Sequence, residues 1–477
     1  MSLRQFIDSC MGDGDCSVIL DFLDVEHEVG SYIRSSCDHD GPMLLTNPNR
    51  SHFNGFTIAG GVYGSKRRIK RIFGYDSGIY GSKYVDKPDF EVVKRYAKLA
   101  FAPEGFLLNR GLASDAPCQE VVIDQGDVDL GNFPVCTHNE YDSGAFITAG
   151  VNVVEWVAGQ VQGLGMHRVC IVNRNTISCL APINRRIGFP HYKKAPIKMA
   201  VVIGAPPEVT LASQAKVNQR TNKYHIADHI RGTTVPLTKC VTSKLLVPSE
   251  AEIVIECTSI PDSIYDDSPF AEYPGTYSFR SNAWTAHVDC ITTRKDWIYQ
   301  TLLTGKLPQE DSNLCAIPMA AEVYKVAKNL VEEVTDVSAF IGNNVFDTII
   351  CVKKNSNEEI SNLIWTILGN KYIKSVTVMD EDLKANEEDW RFAFNTRYQP
   401  DRDTTITGLG LGASLDPSSP LFQSTSKIAL DFTIPVGKTE SDTNMNKRRH
   451  YKCNAKFKDS ESAVWDRIEK SIFRKKL

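Results

Sequence analysis

The stretch Asp267-Ser268-Pro269-Phe270-Ala271-Glu272-Tyr273-Pro274-Gly275 sets two carboxylates five positions apart, around a proline and an aromatic ring. Pro269 inside the pair and Pro274-Gly275 after it forbid a continuous helix, so the acids sit on a shaped loop. Two carboxyl groups on one loop can share a site. Where their surroundings differ, one stays ionised while the other holds a proton at a raised pKa, the equipment of general acid-base chemistry. Two surface acids decorating a turn would show the same spacing, so the pair takes its meaning from the segments around it.

The scaffold that must aim this loop is large. At 477 residues the chain has room for two or three domains and a sizeable core, with 42% hydrophobic and 23% charged residues. A formal net charge of -4 gives no global electrostatic case for nucleic acid or a membrane surface, which points to a small molecule or a protein as partner. Thirteen scattered cysteines, odd in number and without a Cys-x-x-Cys pair, favour reduced thiols over a disulfide framework. Met1-Ser2-Leu3-Arg4-Gln5-Phe6 opens no apolar run with a cleavage site, and no run of 18 apolar residues occurs, so the expected location is the cytoplasm.

Along the chain the texture changes three times. Residues 1–120 read as a mixed α/β segment, with Val18-Ile19-Leu20 and Phe22-Leu23 as apolar runs, Gly41-Pro42 feeding a strand, and helical spacing from Val92 to Ala102. Residues 121–310 read as repeated β-rich runs (146–157, 169–173, 199–203, 238–246, 252–256 and 284–293), as in a barrel or sandwich, interrupted by helical material around 213–230. Apolar residues at i, i+3 and i+4 from Pro318 to Val334 predict a linker helix within 311–335. Residues 336–477 read as a smaller α/β domain, with a βαβ pattern across Thr348–Val352, Glu358–Gly369 and Val376–Met379, and a polar, basic tail read as solvated. Gly408-Leu409-Gly410-Leu411-Gly412 lacks the Gly-Lys-Ser/Thr of a phosphate loop and the spacing of a dinucleotide fingerprint, and reads as a loop.

With these segments in order, the chain resembles the UbiD family of decarboxylases. The landmarks include Gly41-Pro42 with Asn47-Pro48, Ala116-Pro117-Cys118-Gln119-Glu120, Asp127-Val128-Asp129-Leu130, Arg231-Gly232-Thr233, the run from Val247 to Glu256, Thr304-Gly305-Lys306, and the run from Thr396 to Asp403. Each alone is weak; their shared order over nearly the whole length is specific. The resemblance implies an α+β fold, with a split β-barrel of the flavin reductase-like kind between an N-terminal α/β segment and a C-terminal α/β domain. It also implies a homodimer or larger assembly. The chemistry it implies is carboxy-lyase chemistry on an unsaturated or aromatic acid, with prenylated FMN as the electron sink.

The resemblance places the family's carboxylate loop on Asp267 to Glu272 and its arginine on Arg168, which closes Gly163-Leu164-Gly165-Met166-His167-Arg168. An always-charged planar fork can hold a carboxylate and keep a nearby acid ionised. Arg168 is therefore expected to recognise the substrate acid, Asp267 to orient Arg168, and Glu272 to transfer the proton. Gly165, Met166, His167, Lys223 and Lys427 fall on positions expected to approach the cofactor. Arg168 paired with Asp267 for structure alone is the competing reading.

At the cofactor end the pattern departs. The family's flavin phosphate is held through a divalent metal, such as Mn2+, and K+, using an Asn and a Glu; Gly163 and Lys223 stand at those positions. A cation does not ligate a cation, so neither metal is expected and flavin binding is in doubt. Lys223, with Arg185 or Arg186, would neutralise a phosphate directly; His225 and His229, at i, i+4, offer a different metal pair that lacks a third ligand. Three functions stay open: a UbiD-like decarboxylase with an altered flavin site, a cofactor-independent enzyme using Arg168, Asp267 and Glu272 for acid-base work such as decarboxylation of an activated acid or ring closure, and a non-catalytic partner subunit.

Overall fold

The computed structural model describes residues 1–48, 57–74, 89–101, 112–155, 162–181, 196–217, 221–279, 282–338, 346–421 and 423–436. Arg185, Arg186 and the basic tail lie outside the described residues.

The N-terminal segment starts with a helix, Leu3–Gly12, whose Ser2 and Gln5 form a reciprocal capping box. Leu3, Phe6, Ile7 and Cys10 repeat at i, i+3, i+4 and i+7 and are all buried, as an amphipathic helix requires. The strands Cys16–Leu23, Met43–Pro48 and Thr57–Gly60 form one sheet, and a fourth strand joins it from far along the chain: Ile298–Gln300 pairs in parallel with Thr57–Gly60. The stretch expected to end the barrel thus contributes its last strand to the N-terminal sheet.

The middle of the chain is a split β-barrel. Among the described residues its antiparallel sheet runs in the order Phe146–Ile147, Val169–Asn173, Thr176–Cys179, Ala283–Thr293, Ile253–Tyr265, Lys198–Ile203, Val151–Glu155 and Gln162–Met166, with Val121–Asp124 also paired to Ala283–Thr293. Apolar runs here are continuous rather than alternating because both sheet faces are covered. In Lys198–Ile203, Ala200 and Val202 enter one buried cluster, while Met199, Val201 and Ile203 enter the other. The helices Pro207–Ser213 and Lys223–Arg231 supply the helical interruption, and Gly232, at φ 79°, ends the second in the left-handed region where glycine carries no Cβ penalty.

The expected linker helix from Pro318 to Val334 is displaced. It runs Glu310–Ala327, opened by a Gln309–Ser312 capping box, with Pro318 inside it, and Glu333–Val337 is already a strand. Pro318 looks like a helix start in sequence, but the Gln309 cap nine residues earlier already accepts an orphan amide of the first turn, that of Ser312. Beyond it the βαβ pattern is present: Asp347–Lys353 and Ser375–Asp380 pair in parallel around the helix Asn357–Leu368. Ile428–Asp431 and Thr404–Ile406 extend that sheet. Several of the sequence landmarks are ion pairs within this frame: Arg231 grips Glu250 at 2.6 and 3.0 Å, and buried Arg397 reaches Asp380 and Asp382. No helix among the described residues is long and apolar enough to cross a membrane.

Candidate active site

The strand Gln162–Met166 carries Gly163, Gly165 and Met166, with Gly165 opposite Asn152 in the neighbouring strand. The chain then crosses to Val169–Asn173, and His167 and Arg168 occupy the connection. Asn152 pins the crossing by donating Nδ2 to the His167 carbonyl at 3.1 Å. A Cβ on Gly165 would stand 3.1 Å from His167 Nε2, so the bare glycine makes room for the imidazole. Arg168 is buried and stacks on the Phe270 ring at 4.8 Å, and that ring packs on Phe146 at 4.6 Å between centroids.

The facing loop is a small hairpin. Phe270–Ala271 pairs with Tyr277–Ser278, and the Gly275 amide donates to the Glu272 carbonyl at 2.9 Å. Gly275 sits at φ 88°, where a Cβ would be strained. Before the hairpin, the Ser268 amide and hydroxyl both donate to Asp266 at 3.1 and 2.6 Å. Across from it Asp142 accepts from the Ala271 amide at 2.9 Å and from the Asn139 amide at 3.0 Å, while the Ser143 amide donates to the Pro269 carbonyl at 2.8 Å. Nothing in the sequence around Asp142 signalled this clamp; a lone acid in a Tyr-Asp-Ser-Gly turn looks like any surface turn.

Arg168, Asp267 and Glu272 are brought together, as the sequence led one to expect. Arg168 donates Nε to Asp267 Oδ2 at 3.2 Å and Nη2 to Asp267 Oδ1 at 2.7 Å, and Nη1 to Glu272 Oε1 at 2.5 Å. The two acids differ in surroundings: the Asp267 side chain is wholly withdrawn from water, whereas that of Glu272 keeps 14% exposure. Burial pulls against the Arg168 charge, but the hydrogen bonds it donates to Asp267 and the charge of Glu272 outweigh it and hold the guanidinium protonated. Burial pushes Glu272 up to about 7; Arg168 pulls it down, and the charges of Asp311 and Asp267 push it back up. Cys170 is no nucleophile here, since burial drives its thiol up to about 12 and the Asp267 charge adds to that.

Other sequence-nominated residues have different engagements. Lys427 is 4% exposed and donates Nζ to the carbonyls of Leu368 and Asn370, both at 2.6 Å, which ties it to the C-terminal end of the helix Asn357–Leu368. His225 lies 4.0 Å from Asp228, and His229 has its Nδ1 3.4 Å from the Leu99 carbonyl. Met166 packs against the main core.

Lys223 opens the helix Lys223–Arg231, and its ammonium donates to the Ser213 carbonyl at the end of Pro207–Ser213. An ammonium has no lone pair to offer, and Gly163 has no side chain. These two positions do not fit a metal-bridged phosphate.

The family model described as the 3-octaprenyl-4-hydroxybenzoate carboxy-lyase Rift-related domain matches residues 111–307, and the model of the C-terminal domain of that carboxy-lyase matches residues 312–432. Among solved structures, the chain is similar to the UbiD-class enzyme HmfF from Pelotomaculum thermopropionicum, solved in complex with FMN, at 24% identity over 92% of this chain and 95% of that one, with a TM-score of 0.80. It is similar to the vanillic acid decarboxylase of Sedimentibacter hydroxybenzoicus in its open form, with truncated ShVdcD, at 23% identity over 99% of both chains and a TM-score of 0.81. An apo 3,4-dihydroxybenzoic acid decarboxylase from Enterobacter cloacae matches at 21% identity over 97% of this chain and 98% of that one, with a TM-score of 0.80. At these identities the solved structures show a common fold.

Proposed function

The chain belongs to the UbiD family of carboxy-lyases, and on that premise we propose that it removes CO2 from an unsaturated or aromatic carboxylic acid. Arg168 receives the substrate carboxylate, Asp267 orients Arg168, and Glu272 delivers the proton to the carbon that CO2 leaves. The carbon–carboxyl bond breaks, its electron pair stays on carbon, and the Glu272 proton closes the balance. The observation that carries this reading is the asymmetry around one guanidinium: a bidentate partner without water access, and a second acid that keeps 14% exposure and that burial pushes up to about 7. Such a site binds an anion and releases a proton in one place. The vanillic and 3,4-dihydroxybenzoic acid decarboxylases among the structural neighbours support an aromatic acid.

Two versions differ in what stabilises the carbanion. The HmfF neighbour, solved with FMN, supports a flavin, which in the prenylated form named by the resemblance would supply the electron sink. Gly163 and the Lys223 ammonium, engaged with Ser213, favour the second version, in which the same three residues act on an acid already activated within the substrate.

The test is CO2 release from a panel of unsaturated, aromatic and β-keto acids, using protein made with and without a co-expressed flavin prenyltransferase. Release that appears only in flavin-absorbing protein supports the first version; release by colourless protein supports the second. A panel that goes wholly unconverted under both conditions removes the proposal. We propose a cytoplasmic homodimer or larger assembly for the protein; a monomer by light scattering and sedimentation contradicts that part.

A further inference from the structure

Glu272 stands between two residues that are held from different parts of the chain. Ala271, before it, is fastened to the barrel by the amide it donates to Asp142 at 2.9 Å. Tyr273, after it, is the first corner residue of the turn that the Gly275 amide closes on the Glu272 carbonyl. A ring at a turn corner ordinarily lies in water, yet Tyr273 is half-buried. Its ring and that of Phe346 lie 5.9 Å apart between centroids at 71°, the edge-to-face geometry that aromatic pairs favour.

Phe346 belongs to the C-terminal unit. Its carbonyl accepts the amides of Lys374 at 2.7 Å and Ser375 at 3.1 Å, which sets it at the head of the parallel strands Asp347–Lys353 and Ser375–Asp380. At the same end of that sheet the Tyr372 ring takes the ammonium of Lys216, from the middle of the chain, at 4.9 Å. The main chain of Tyr273 has a hold of its own. Helix caps are ordinarily Ser, Thr, Asp or Asn. Gln309 reaches further and serves two ends: Oε1 accepts the Ser312 amide at 2.8 Å, and Nε2 donates to the Tyr273 carbonyl at 3.2 Å. Gln309 is fully buried, so a donor that lost this carbonyl would be left in a dry place.

We propose that Tyr273 is a positioning residue, the latch through which the C-terminal unit and the helix Glu310–Ala327 hold Glu272 at Arg168. The proposal rests on the reading of Glu272 as the proton carrier. Asp142 fixes the base of the hairpin, and Tyr273 fixes its tip, with Glu272 between the two. Asp267 grips Arg168 through Nε and Nη2, whereas Glu272 takes Nη1, so the guanidinium keeps its place when the tip shifts. A proton carrier has no such latitude, since a misplacement of about 1 Å can cost on the order of 100-fold.

The experiment is a pH titration of side-chain carboxyls by carbon-13 NMR on the full-length protein labelled at Glu, with Glu272→Gln identifying the Glu272 signal. The charges that reach Glu272, those of Arg168, Asp311 and Asp267, are all kept in the variants, so a moved midpoint reports burial, the largest influence on this group. In Tyr273→Ala and in Phe346→Ala water reaches the loosened tip, and the Glu272 midpoint falls by roughly one pH unit. The double variant falls no further than either single one, and Tyr273→Phe, which keeps the ring, stays at the unsubstituted midpoint. A midpoint that neither Tyr273→Ala nor Phe346→Ala moves overturns the proposal. Should these variants not fold, Phe346→Leu serves: it keeps the bulk and loses the edge-to-face contact, and an unmoved midpoint again overturns it. On an acid that the protein converts, kcat in Phe346→Ala falls roughly tenfold with KM unchanged. Full CO2 release by Glu272→Gln would defeat the functional reading while leaving the titration result standing.

Discussion

Arg168 and Asp267 meet through two hydrogen bonds, Nε to Oδ2 at 3.2 Å and Nη2 to Oδ1 at 2.7 Å, with the Asp267 side chain fully shielded from water and that of Arg168 only 5% exposed. A buried pair of this kind is sensitive to losing one member, because the other is left as an uncompensated charge. Asp267→Ala is therefore expected to destabilise the protein by about 3–5 kcal/mol. Arg168→Met costs a similar amount, and the double variant costs less than the sum of the two. Denaturant unfolding of the four proteins measures it; additive losses contradict a direct pair.

Glu272 gives a pH signature with a definite sign. Burial raises it to about 7 in the folded protein, above the usual carboxyl range. Between that range and about 7 the folded state binds the proton and the unfolded state does not, so stability falls as pH rises across this window and levels off beyond it. As proton donor the same group is loaded below about 7 and empty above it, so turnover falls on the alkaline side. Glu272→Gln removes that dependence of stability; a stability–pH curve identical to that of the unsubstituted protein contradicts the assignment.

Asp142 holds the loop through the amides of Ala271 and Asn139. Asp142→Ala leaves two partly buried amides without their acceptor, which costs about 1–3 kcal/mol. Turnover is expected to fall more than substrate affinity, because the proton carrier drifts while Arg168 stays paired with Asp267. An unchanged kcat in Asp142→Ala would show that the clamp is irrelevant to the chemistry.

Gly275 sits at φ 88° in the turn that follows Glu272. Gly275→Ala forces a Cβ into that region and is expected to cost about 1 kcal/mol, read as a lowered denaturant midpoint. A neutral result means that the turn relaxes and does not hold Glu272.

The loop and its two acids were legible because proline, glycine and carboxylates speak locally, and the turn they dictate needs no distant partner. Arg168 lies about a hundred positions earlier; only the pairing of strands brings it across, so resemblance rather than spacing identified it. The β-rich runs were readable in Lys198–Ile203, where both faces are covered, but the pairing of Ile298–Gln300 with Thr57–Gly60 was not, since short strands carry no address for their partners. Pro318 misplaced the helix start by eight residues, because the first turn, opened by Gln309, carries no apolar periodicity to mark it. Lys427 kept its place in the sequence pattern, yet its ammonium caps a helix end, a role set by where Asn357–Leu368 stops.

We propose Glu272 as the carrier of the proton that replaces CO2. The measurement that bears on it most directly is CO2 release by Glu272→Gln on an acid that the unsubstituted protein converts, at equal occupancy of the site. Glutamine keeps the shape and a hydrogen-bonding end but cannot give up a proton, so turnover is expected to fall by about 100-fold or more while the acid still binds. Turnover at the unsubstituted rate would place the proton elsewhere and contradict the account.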